Sequence, residues 1–274
     1  MDDERPTADH DVDLDQPTSL DFEALLADGL DGLLSRTGAQ LVVLISAIGI
    51  VSTVFWQSLQ LTVSEAMITY LQENFDATDS QVQTALTELE GTVDALGLTI
   101  DISVPTIVAG IILLALLGEA INIVAIRAFA DGALDGIPRD LVTRRLGVAT
   151  LYGFLGGIVL LVAIGLGLLL LVIPAIFVYV GTLFFRQEIA VADKGPARAI
   201  SGTWALTKGN RWLLFGVAVV LFLVGFVVPL FPGAIPGTFG TVASVFVSSI
   251  VGVFSIATIT EAYVRLRRQH TESM

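Results

Sequence analysis

Cysteine is absent from the chain, which excludes disulfides, thiol catalysis and zinc sites built on thiolates. Histidine occurs only as His10 and His270, both in polar stretches near the ends, so a histidine metal site or catalytic triad has no material. Nothing else in the chain calls for a cofactor. Lysine occurs only as Lys194 and Lys208, and charged residues of all kinds make up 15%. A soluble domain of this length carries about a quarter. The shortfall is gathered into long uncharged runs, the pattern of bilayer-spanning helices. Basic residues are also scarce beside acidic ones, 14 against 27. That balance argues against nucleic acid as a partner, because phosphates need basic surface. The acids are mostly aspartate and the bases mostly arginine, a bias that resembles proteins of halophilic archaea.

What is present is helix of hydrocarbon length. The runs at 40–62, 104–126, 212–231 and 238–262 are each long enough for a core of roughly 30 Å. From Gly147 to Phe185 there are 39 uncharged residues, which as one helix would measure about 58 Å. The run therefore divides into spans at 147–165 and 168–185, with a turn near Gly165–Gly167 and Pro174 inside the fourth span. The predicted fold is all-α: a polytopic membrane helix bundle of six transmembrane helices plus amphipathic interfacial helices. With both termini on one side, all 14 basic residues fall on that side. Basic loops stay in the cytoplasm, so the reading is a multi-pass protein of the cell membrane with N- and C-termini cytoplasmic.

Residues 1–19 read as an acidic disordered tail, and 20–38 as an amphipathic helix with Leu25, Leu26 and Leu33 opposed to Asp28 and Asp31. That helix either lies on the membrane or packs on neighbouring cytoplasmic segments. The membrane domain follows over 39–268, then a tail over 269–274. The external loop 63–103 carries eight carboxylates and no base. Within it Val82, Leu86, Leu89, Val93 and Leu96 form a seam behind an N-cap at Asp79 or Ser80. The seam needs a partner: residues 64–75 as a continuation of span one, or else a second copy in a homo-oligomer or another membrane protein. The second external connection, from Pro229 to Gly237, reads as a tight turn.

Candidate chemistry is sparse. Glu119 is the acidic residue well inside a span, and Asn122 shares its helical face. An ionisable group at that depth is a functional hypothesis by default; the plainer alternative is a hydrogen-bonded Glu that holds helices together. Glu261 and Arg265 are spaced for an i,i+4 ion pair. Gly153 with Gly157, and Ser244, Ser248, Gly252 and Ser255, form small-residue stripes that suit close helix packing. The string "SGTWALTKGNRW" (201–212) approaches a phosphate loop, but Thr207 stands where a glycine should precede Lys208, and Gly209 where a hydroxyl should follow. It reads instead as a surface helix with Pro196 in its first turn and a stop at Gly209. Arg144, Arg145, Arg198, Lys208 and Arg211 are then candidate contacts to anionic lipid headgroups.

The stretch from Pro174 to Gly216 also resembles the membrane domain attached to some glycerophosphodiester phosphodiesterases, and multispanning haloarchaeal proteins related to it. The shared elements are a Pro-containing span, a short helix with Ala197, Ser201 and the run Leu206–Asn210, and a further span opening on aromatics. In that family hydrolysis belongs to a separate soluble domain, for which this chain has no counterpart. The resemblance implies a membrane module without the catalytic part. The expected function is a non-enzymatic integral membrane protein with membrane lipids as partners: an accessory, scaffolding or lipid-associated module. The alternative is a transporter or channel component using Glu119 and Asn122 as a polar site.

Overall fold

The computed structural model of the chain describes residues 20–76, 78–170 and 172–272. The expected tail at 1–19 lies outside them. Among the described residues the secondary structure is helical, without strands, and six helices are long and apolar enough to cross a membrane. In chain order the helices are α1 (Phe22–Leu34), α2 (Arg36–Asn74), α3 (Ser80–Ala95), α4 (Val104–Ala130), α5 (Arg139–Thr143) and α6 (Leu146–Leu170). They continue as α7 (Val172–Gly181), α8 (Phe185–Ala190), α9 (Pro196–Leu206), α10 (Arg211–Val227), α11 (Leu230–Gly233) and α12 (Gly237–Glu272).

Helices α4 and α12 sit at the centre, each packed on α2, with α6 and α8 against α4 and with α1 and α10 against α12. Hydrocarbon gives helices no hydrophobic reason to associate, so close approach and polar contacts must hold them. Glycine supplies the approach at two seams. On α1 a Cβ at Gly29 would collide with the Thr258 side chain, and one at Gly32 would stand 3.0 Å from Ala257 Cβ. At Gly167 a Cβ would stand 3.1 Å from Ala175 Cα, where α6 and α7 pass as a hairpin.

That second seam corrects the expected turn at Gly165–Gly167. The glycines stay helical and mark close backbone approach; α6 runs on to Leu170 and α7 starts at Val172. Pro174 lies inside the fourth span, near the start of α7. The fourth span is also displaced, to 173–190, and it is broken at 182–184. The amide freed by the break is satisfied: Phe184 N donates to the buried Thr203 Oγ1 of α9 at 3.1 Å. A break inside protein is tolerated when its backbone groups find partners.

At the end of the bundle that holds α1 and the close of α12, Leu25, Phe184, Leu214, Val217 and Tyr263 form a dry core, with the Phe184 and Tyr263 rings 5.7 Å apart. Helix α1 packs there, through Leu25, with Asp28 paired to Arg265, which also takes Glu261 at 2.9 Å. It ends at Leu34, and residues 36–38 already belong to α2, because the Ser35 hydroxyl accepts from Gly38 N and starts a new helix. Residues 269–272 likewise continue α12 rather than forming a tail.

At the other end α2 runs unbroken for 39 residues, about 58 Å, well past a bilayer core. Helix α3 packs along this extension through Val82, behind an Asp79 carboxylate that accepts from Gln81 N. Gln57 accepts from Leu98 N, and the neighbouring Ser58 from Ile100 N, which ties the acidic loop back to α2.

Candidate functional site

Glu119 stands fifteen residues into α4, about 22 Å along it. It is buried, and its carboxylate accepts from Arg186 Nε at 3.0 and 3.1 Å. Arg186, expected in the loop after span four, is instead on α8 because the break at 182–184 turns that helix back against α4. Glu119 thus ties α4 to α8. Its partner is an ion across 67 positions of sequence.

Gly153 and Gly157 of α6 face this pair. A Cβ at Gly153 would strike the Glu119 carboxylate, and one at Gly157 would stand 3.4 Å from Arg186 Nη2. The stripe expected to serve helix packing thus makes room for an ion pair. The stripe on α12 does not pack closely throughout either: nothing lies within 4 Å of a Cβ at Gly252, while Ser244 Oγ donates to Pro229 O and Ser255 Oγ to Val251 O.

Beside the pair lies a cavity of about 550 Å³, bounded by α4, α6, α7, α8 and α12. Glu119, Asn122, Tyr179, Arg186, Gln187 and Ser255 give it a polar floor, and Phe154, Ile158 and Leu161 give it apolar walls. The structure brings Glu119 and Asn122 together here, as their spacing indicated. Gln187 is the residue the sequence reading missed: it is 4% exposed, and its Oε1 has no hydrogen-bond partner.

The five expected headgroup contacts divide. Arg144 pairs with Asp193, and its carbonyl accepts from the buried Arg127 at 2.6 Å. Arg127 also donates to Ala190 O and Leu141 O, so it fastens the end of α4 to α5 and α8. Arg211 lies 4.7 Å from both the Phe177 and Trp204 rings, which meet edge to face at 5.2 Å and form a corner against its guanidinium. Arg145, Arg198 and Lys208 are exposed; Arg198 shares α9 with Trp204, and Lys208 lies between Trp204 and the 87% exposed Trp212. The surface helix α9 begins at Pro196 as expected and ends at Leu206, earlier than Gly209, since Thr207–Asn210 form a turn in which Gly209 takes φ +94°. Among the described residues no group of three or more acidic or histidine side chains is gathered to hold a metal.

A family model described as "Domain of unknown function (DUF7847)" matches residues 20–266. No curated protein and no solved structure matches the chain.

Proposed function

The chain belongs to the DUF7847 family, a domain of unknown function, and on that footing we propose that it is a non-enzymatic, lipid-associated membrane module whose basic end holds anionic headgroups. The observation that carries this reading is the exposure of Arg145, Arg198 and Lys208 at the end where Trp204 and Trp212 also sit. Aromatic rings favour the headgroup level, and exposed cations there attract anionic lipid by about 1 kcal/mol each. Arg144, itself half exposed, and Arg211 support the surface: their ion pair and ring contacts hold the segments that carry the free cations. In this reading that end faces the cytoplasm of a cell membrane, with both termini on the same side. The likeness of residues 174–216 to the membrane domain of glycerophosphodiester phosphodiesterases agrees with a lipid setting. The acidic, lysine-poor composition agrees with a halophilic host.

The test is lipid retention. The triple variant Arg145→Glu, Arg198→Glu, Lys208→Glu, purified from membranes holding anionic and zwitterionic lipid, should lose its excess of anionic lipid. An unchanged lipid complement removes the proposal.

A transport role for Glu119 and Asn122 is the second reading, favoured by the cavity beside them. Glu119 is however already held by Arg186. If Glu119→Gln leaves pH-dependent ion flux in proteoliposomes intact, this reading loses its residue.

A further inference from the structure

The cavity beside Glu119 is distinct from the basic surface, and its lining has the chemistry of a ligand site. Arg186 gives Glu119 only its Nε, so both Nη groups remain available, and glycine at 157 leaves Nη2 unobstructed. The cavity is bordered by Ile158, Leu161 and Tyr179, which are 46%, 71% and 45% exposed. Those side chains face the bilayer on a membrane bundle, so a molecule entering sideways arrives from hydrocarbon and brings an apolar body with it.

We propose that this cavity binds one anionic phospholipid. Its phosphodiester bonds to the Arg186 Nη edge, and its chains leave between Ile158 and Leu161. Arg186 bridges two anions, Glu119 through Nε and the phosphate through Nη, a geometry that a planar guanidinium allows and an ammonium does not. Glu119 aims the guanidinium and at the same time repels the phosphate. The site therefore makes predictions of opposite sign for its two charged members.

The experiment is native mass spectrometry of the full chain released from vesicles of equal phosphatidylglycerol and phosphatidylcholine, with and without millimolar inorganic phosphate. The wild type should retain one phosphatidylglycerol, since the positive choline of the other lipid is repelled by the Arg186 guanidinium, and free phosphate should not displace it. Arg186→Gln should lower that retention by about tenfold or more, and Glu119→Gln should raise it. Ala115→Trp fills the cavity from α4 while leaving both charged residues in the chain and should also abolish retention, which keeps the test decisive if Arg186→Gln fails to fold. Equal retention of the two lipids by the wild type, or retention unchanged in Ala115→Trp, overturns the proposal. Displacement by free phosphate overturns the lipid assignment. The triple surface variant should keep its one tightly held lipid. Loss of anionic lipid in that variant alone sinks the cavity and leaves the surface reading standing, and loss in the cavity variants alone does the reverse.

Discussion

Replacing Gly153 with alanine perturbs the Glu119–Arg186 pair without altering either member. The new Cβ would land on the Glu119 carboxylate, with Cδ at 3.1 Å and Cγ at 3.2 Å. The Glu119 side chain is 9% exposed and has little room to swing aside while keeping Arg186. Removing a partner from a buried pair costs about 3–5 kcal/mol. Arg186 is 44% exposed and can follow the carboxylate, so solvent and motion reduce this to roughly 1–2 kcal/mol. Helix propensity works in the other direction, by up to about 1 kcal/mol for glycine to alanine. Gly118→Ala isolates that gain, because nothing lies within 4 Å of a Cβ there. Denaturant unfolding in detergent should show Gly153→Ala less stable than Gly118→Ala. In a Glu119→Ala background, Gly153→Ala should become neutral or stabilising, because its obstacle is gone. Additive effects across that double-mutant cycle would refute the claim that Gly153 makes room for the carboxylate.

Three further outcomes follow from other contacts. Arg127→Gln removes a charged donor from the carbonyls of Leu141, Arg144 and Ala190, each such bond contributing about 1.5–3 kcal/mol. Yield of monodisperse protein should collapse, and Arg127→Lys should not rescue it, since an ammonium cannot span the same three acceptors. Arg211→Lys keeps the charge but loses the guanidinium's contact with the Phe177 and Trp204 rings, which should lower stability by about 0.5–2 kcal/mol on thermal unfolding. At Asp28, burial lifts the carboxyl above its ordinary 3.8, outweighing the pull of Arg265. A raised carboxyl favours the folded state most below 3.8 and loses that contribution as pH rises through the folded value. Proteolysis of α1 should therefore become easier with rising pH in that window, and Asp28→Asn should abolish the trend; greater resistance at higher pH would contradict it.

The spans were legible because each is an uncharged run whose length matches a bilayer, and the α3 seam because its apolar residues repeat at helical spacing. Helix ends within apolar sequence were not. Nothing local distinguishes Gly165 or Gly167 as helix from turn, and the position of the hairpin depends on what α6 and α7 bury against each other. Glu119 was legible as an anomaly of depth, whereas Arg186 was not legible as its partner. Arg186 looked like a loop residue because it follows the uncharged run, and only the break at 182–184, satisfied by Thr203 from another helix, turns it inward. Gln187 gave no signal beyond its neighbour, since an amide after an arginine suits any solvated surface. The glycine stripe at 153 and 157 could be read as close approach, but whether the approaching group is a helix or a carboxylate depends on α4.

The account stands on six crossings with Arg145, Arg198 and Lys208 on the cytoplasmic side, and the cysteine-free chain allows a direct check. Single cysteines at Gly91 on α3 and at Ser201 on α9, in intact cells, should react differently with a thiol reagent that cannot cross the membrane. Gly91→Cys should label from outside, and Ser201→Cys only after the membrane is opened. Labelling of both from the same side, or of Ser201→Cys alone in intact cells, would contradict the topology on which the lipid reading rests.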